Sequence, residues 1–171
     1  MSVPQLTVNQ FAGFGTQGAK FDDSPFRALS YTLNSSLASY NVIGATAYTL
    51  TSAGIAQAGN GGSGFVGILC NPEIFPLFGV GGNPLSPSMT LPNYSLAPLC
   101  TMGRIYAYVT TQGSEQDLVV FDNTTGALST IAPNAALPSG KSFAYAKLIV
   151  TGMTTPGLCI IEISPTFTIP T

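Results

Sequence analysis

With no histidine anywhere in the chain, chemistry would have to come from its carboxylates and thiols. Asp22 and Asp23 are the one adjacent carboxylate pair, a pattern that can move protons or hold a hard cation. They run into Ser24-Pro25, which reads more simply as a turn or helix-cap signal, and no electrophilic partner accompanies them. Asp117, Asp122 and Asn123 could gather at one end of a hairpin and ligate a cation. Their spacing does not fit a calcium loop, however, and Asp and Asn are ordinary turn residues. Gly13-Phe-Gly15-Thr-Gln-Gly18 fits the G-x-G-x-x-G pattern of phosphate-binding loops, yet no strand leads into it and no clear helix follows. Residues 59–64 are glycine-rich but lack a lysine to reach a phosphate. The sequence therefore assigns no catalytic, cofactor-binding or metal-ligating residue, and the expectation is a protein without cofactor and without enzymatic activity.

The composition points the same way. The chain has 171 residues, five Lys or Arg and seven Asp or Glu, so 7% is charged and the net charge is −2. An average soluble domain is roughly a quarter charged. Lack of histidine removes Ser-His-Asp and Cys-His nucleophiles, imidazole metal sites and a histidine pH switch. Five basic residues make no electrostatic footprint for nucleic acid or an anionic membrane, so neither is expected as a partner. Hydrophobic residues make up 45%, too many for a disordered chain, and the length supports one ordinary core. Cys70, Cys100 and Cys159 are an odd number, widely spaced and each embedded in an apolar run. Buried free thiols made in a reducing compartment are expected. No signal peptide is expected, and no apolar stretch is long enough for a membrane helix. A surface this poor in charge belongs either to a plainly neutral β protein or to one that is largely covered in an assembly.

The elements that must position these residues are strands. From residue 40 onward, apolar runs at 42–43, 47–50, 55–57 and 65–70 alternate with turn signals. Residues 72–98 hold six prolines and form a long excursion in which no regular element fits. Residues 104–110 alternate, with Ile105, Ala107 and Val109 on one face and Arg104, Tyr106, Tyr108 and Thr110 on the other. Residues 118–121 and 128–131 are joined by a hairpin over Asp122-Asn-Thr-Thr-Gly126. Residues 143–150 and 158–163 complete the set, and the tail from 164 is extended. Seven or eight short strands make an all-β single domain, a β-sandwich or small β-barrel.

The first forty residues read differently. Residues 1–28 carry Phe11, Phe14, Phe21 and Phe26 among Gly13, Gly15 and Gly18 with no clean period. Either they form an extended arm that docks elsewhere through its Phe side chains, or they fold back on their own core. The division is thus an arm over 1–28 and a β domain over 29–171, with the excursion at 72–98. In residues 28–40, Leu29, Leu33 and Leu37 recur every four positions as on a helix, while the Ser and Asn content opposes one, leaving a short helix or a loop. Phe11, Phe14, Phe21, Phe26 and Arg27 are the candidate contacts of the arm. Arg104, Tyr106 and Tyr108 are the candidate partner face, which could alternatively stack sugars as a carbohydrate- or host-surface-binding module.

Three stretches resemble a known family. They are Gly64-Phe-Val-Gly-Ile-Leu-Cys-Asn71-Pro72; Leu91-Pro92 with Pro98-Leu-Cys-Thr-Met-Gly103-Arg-Ile-Tyr-Ala-Tyr-Val109; and Asp117-Leu-Val-Val-Phe-Asp122-Asn-Thr-Thr-Gly126-Ala-Leu128. In this order they resemble the capsid cement or head-decoration proteins of tailed bacteriophages, over roughly residues 41–163. The resemblance implies a non-enzymatic β protein on the capsid exterior of the virion, made in the host bacterial cytoplasm. Its partners would be the major capsid protein and further copies of itself, a homotrimer ahead of a homodimer. Residues 1–40 show no matching pattern.

Overall fold

The computed structural model describes residues 15–62, 64–71, 89–150 and 157–165. Phe11, Phe14, most of the proline-rich excursion and the tail from 166 lie outside these residues. Among the described residues nine strands follow one another: β1 (Arg27–Thr32), β2 (Ala47–Leu50), β3 (Ala56–Ala58), β4 (Phe65–Leu69), β5 (Leu96–Val109), β6 (Leu118–Asp122), β7 (Leu128–Ile131), β8 (Lys141–Val150) and β9 (Gly157–Ile163). All their pairings are antiparallel. The order is β3-β2-β4-β5-β9-β8-β6-β7, with β1 also on β5.

The 14 residues of β5 belong to two leaves. Its first half pairs with β1 and β4, and its second half, from Gly103 to Val109, pairs with β9. Between the halves the register jumps: Ala28 faces Cys100 but Arg27 faces Met102, so Thr101 is one extra residue. Because side chains alternate, one extra residue exchanges the two faces of everything beyond it. Ala97 and Leu99 accordingly point into one hydrophobic cluster, whereas Ile105, Ala107 and Val109 point into the other. Gly103 completes the switch at φ +121°; a Cβ there would lie 2.9 Å from the Phe26 ring and 3.1 Å from the Pro25 carbonyl oxygen.

The larger cluster lies between the leaves and joins Ile68, Cys100 and Ile105 to Phe121, Leu148 and Ile161. The second cluster covers the other face of the first leaf, where Leu33, Ile43, Tyr48 and Leu69 are wholly buried and Met89 and Leu91 pack over them. Within it Asn41, fully buried, accepts hydrogen bonds from Ser35 Oγ (2.6 Å) and Tyr48 OH (2.9 Å). It donates to the Leu91 carbonyl (3.0 Å) and Asn93 Oδ1 (2.9 Å). Such a network specifies one packing of the loops because each group left unpaired would carry its desolvation cost.

Two local expectations change. The four-residue leucine spacing at 29, 33 and 37 is not a helix face: Leu33 is buried while Leu29 and Leu37 are 45% and 54% exposed. Residues 27–32 pair with β5 instead, and Ser35 serves the Asn41 network. The excursion expected to run to residue 98 ends earlier, because β5 already begins at Leu96. Pro98 is tolerated there since its carbonyl accepts from Cys70 N–H (3.0 Å) at the end of β4, where one missing donor interrupts little.

Gly103→Val should lower stability by about 2–4 kcal/mol, combining left-handed backbone strain with the clash against Pro25 and Phe26. Thermal unfolding followed by circular dichroism checks this; an unchanged melting temperature would contradict the role given to this glycine.

Candidate interaction surface

The described part of the N-terminal segment lies on its own chain, along β5. Gly18 N–H donates to the Tyr106 carbonyl (2.7 Å), Tyr106 N–H to the Ala19 carbonyl (3.0 Å), and Phe21 N–H to the Arg104 carbonyl (2.9 Å). This adds a short rung beside the second half of β5, with Lys20 bridging to Ile105. The glycines permit the approach. A Cβ on Gly15 would fall 2.2 Å from Tyr106 Cε2. Gly18, at φ +81°, would meet Ile43 and the Asn71 amide, whose N–H donates to the Gly18 carbonyl (2.9 Å). Two of the three glycines of the G-x-G-x-x-G pattern thus serve close packing of backbone against protein. Phe21 then meets Tyr106 edge to face at 5.5 Å and 79°, a favoured aromatic geometry.

Charge gathers at the same place. Arg104 Nη1 lies 3.0 Å from Asp22 Oδ2 and its Nε 3.5 Å from Glu162, the residue directly across on β9; Lys20 pairs with Asp23 at 3.2 Å. Five of the twelve charged residues are therefore in one cluster. The Ser24 hydroxyl is the main influence holding the Asp22 carboxyl below its ordinary value, helped by the Ser24 amide and Arg104. The pair Asp22-Asp23 is a turn and an ion-pair anchor, with Ser24 N–H donating to Asp22 Oδ1 (3.0 Å).

The second acidic group also makes turns. Asp117 accepts from Ser114 N–H (2.7 Å), and Asp122 accepts from the amides of Thr124 (2.9 Å) and Thr125 (2.8 Å). Desolvation alone would raise the Asp122 carboxyl, but these amides outweigh it and the group titrates below the usual 3.8. Among the described residues no three His, Cys, Asp or Glu side chains are grouped to hold a metal. All three cysteines are buried free thiols. Burial pushes the Cys159 thiol up to about 12. The neighbouring Cys100 thiol, with burial, raises Cys70 well above the usual range. Neither supplies a thiolate near neutral pH.

The sequence's candidate residues are thus divided. Phe21, Phe26 and Arg27 lie on the surface, the two rings 37% and 36% exposed; Phe11 and Phe14 fall outside the described residues. Arg104 and Tyr106 stand beneath the chain's own residues 15–22, while Tyr108 keeps 40% of its surface open. A feature the sequence did not disclose lies elsewhere: a groove of about 460 Å³ lined by Arg27, Leu29, Tyr31, Phe65, Val66 and Tyr145 among others. Tyr145 adopts φ +47°, within the register break where Val119 faces Ala146 but Val120 faces Phe143. The bulge directs its ring toward Phe65, 6.0 Å away. Only a local alternation at 143–148 was visible in sequence, and it carries no sign of a left-handed residue.

Two outcomes follow. Tyr106→Ala removes the ring under Gly15 and Phe21, and trypsin should then cut after Lys20 about tenfold faster, read as the rate of loss of intact chain. Because Asp22 and Asp122 titrate lower in the folded than in the unfolded chain, their stabilisation is present above about pH 4 and fades as pH falls through the folded values. The melting temperature should stay level from about pH 7 to 5 and drop below about 4. Asp122→Asn should make that acid drop shallower.

The comparisons with known proteins bear on the whole of this architecture. A family profile described as structural cement protein (E217 gp24/Pam3 gp6) matches residues 4–164. It reaches well before residue 41, in keeping with the pairing of residues 18–21 on β5. No curated protein matches the sequence. Among solved structures, a chain described as the capsid of Myoviridae Phage XM1 is similar in fold, with a TM-score of 0.62 and 12% identity over 98% of this chain and 100% of that one. With a match running through nearly the full described sandwich, the chain belongs to the phage structural cement protein family.

Proposed function

We propose that this protein is laid on the outer surface of the phage head and holds neighbouring coat subunits together without catalysing a reaction. It is a virion structural protein, and the observation that carries this reading is the family match over residues 4–164. The surface chemistry supports the finer statement. Only twelve of the 171 residues are charged, and five of those twelve pair with one another in a single cluster. Such a surface can be covered by a partner without stranding unpaired ions. Among the described residues no helix is long and apolar enough to cross a membrane.

The mechanism is linkage. A protein that binds the assembled lattice and not free coat subunits stabilises the lattice in proportion to its occupancy, about 2.7 kcal/mol per site at a hundredfold excess over Kd. Phe11, Phe14, Phe21, Phe26 and Arg27 are the head contacts we assign to the N-terminal segment. We assign synthesis to the host cytoplasm, and partners to the major capsid protein and further copies of this chain, a homotrimer ahead of a homodimer.

Purified protein added to expanded heads assembled without it should sediment with them and raise their thermal disruption temperature. Replacing Phe21 and Phe26 together by Ser should weaken that binding about tenfold or more. Heads that neither retain the protein nor gain stability would overturn the reading.

A further inference from the structure

We infer that the groove beside β1 receives an extended segment of the coat protein, which adds as a strand to the free edge of β1 and brings a carboxylate to Arg27. The inference rests on the reading that this protein binds the head, and it names where and how.

Three observations converge on it. First, β1 pairs with β5 on one side only, and no described strand pairs with its other edge. Leu33 N–H donates to the Ser95 carbonyl (2.9 Å), so the alternation of antiparallel bonding turns Leu29 and Tyr31 toward β5. The amides and carbonyls of Ala28 and Ser30 are then left on the open edge, which Ala56 of β3 closes at its far end by bridging Leu33. An open edge is a template for another strand. Second, the same strand presents Arg27, Leu29 and Tyr31 to the groove, whose opposite wall includes Phe65 and Tyr145. Leu29 and Tyr145 are 45% and 40% exposed. A left-handed tyrosine is costly, and it is kept here where it shapes an open apolar surface. Third, Arg27 pairs with no carboxylate among the described residues; its Nε donates only to Thr101 Oγ1 (3.1 Å). An occupant that covers the groove must supply a negative group or leave a desolvated guanidinium.

That last condition selects the occupant. A second copy paired across β1 about a two-fold axis keeps outward residues opposite outward ones, so it would set Arg27 opposite Tyr31 or Leu33 and leave it uncompensated. The nearby carboxylates of this chain, Asp22 and Glu162, are already held by Arg104. A strand from the coat protein with an acidic side chain and an apolar neighbour satisfies edge, groove and charge together.

The test uses the full chain and expanded heads assembled without it. Ser30→Pro removes an outward N–H while leaving the bonds to β5; Arg27→Glu reverses the charge; Leu29→Asp makes the groove polar. Leu137→Asp, at an exposed leucine elsewhere, is the control. Head binding should weaken about tenfold or more in each of the first three and stay unchanged in the control. Melting temperature shows which variants fold, and Leu29→Asp, at a side chain 45% exposed, keeps the test open should Ser30→Pro or Arg27→Glu unfold. Binding at wild-type strength by the folded groove variants would overturn the inference while leaving the head-binding reading intact. Failure of the unaltered protein to bind heads would instead sink that reading. Loss of self-association in Ser30→Pro, seen by analytical ultracentrifugation, would place a second copy on the edge and overturn the coat-strand assignment.

Discussion

The architecture depends on a single register error in one strand. Without the extra residue at Thr101, the alternation that buries Ala97 and Leu99 in the smaller cluster would carry Ile105, Ala107 and Val109 to that same side. The second leaf would then present its apolar face to water, and β9, β8, β6 and β7 would have nothing to close upon. The bulge is fastened rather than free. Arg27 Nε donates to Thr101 Oγ1, Thr101 Oγ1 donates to the Arg27 carbonyl (3.2 Å), and Gly103 admits the turn with Phe26 packed against it. The residues that hold the bulge are thus the ones that lead from the N-terminal segment into β1.

That coupling gives the N-terminal segment its place in the fold. Its backbone bonds to Tyr106 and Arg104 satisfy groups of the second half of β5 that β9 does not reach, and its glycines replace side chains where backbone must touch ring or backbone. The ion pairs around Arg104 are about a third exposed and individually weak. Their effect is to orient: one guanidinium faces a carboxylate from the segment and another from β9. The other seven charged residues are spread singly or in turns along the rest of the sequence.

Much of this was readable from residues alone. The alternation at 104–110 identified the buried face of β5, and the Asp122-to-Gly126 turn identified the β6–β7 hairpin. Cysteines in apolar runs announced their burial. What could not be read depends on partners far away in sequence. Leu29, Leu33 and Leu37 imitate a helical period because residues 27–32 alternate toward β5 while Leu37 follows no alternation at all. Gly15 and Gly18 acquire meaning only once Tyr106 and Asn71 are known to lie above them. The opposition of Arg104 and Glu162 is a matter of β5–β9 register, and the groove is lined in part by Tyr145, whose backbone conformation its sequence neighbours do not signal.

A further consequence of β5 is mechanical. Its 14 residues run about 46 Å as one covalent thread through both leaves. Each half is hydrogen-bonded on both flanks, by β1 and β4 in the first and by β9 and residues 18–21 in the second. Tension along this thread would have to slide many bonds past one another at once instead of unzipping them one by one. A joint built around such a thread resists stretching through the order in which its strands are laid.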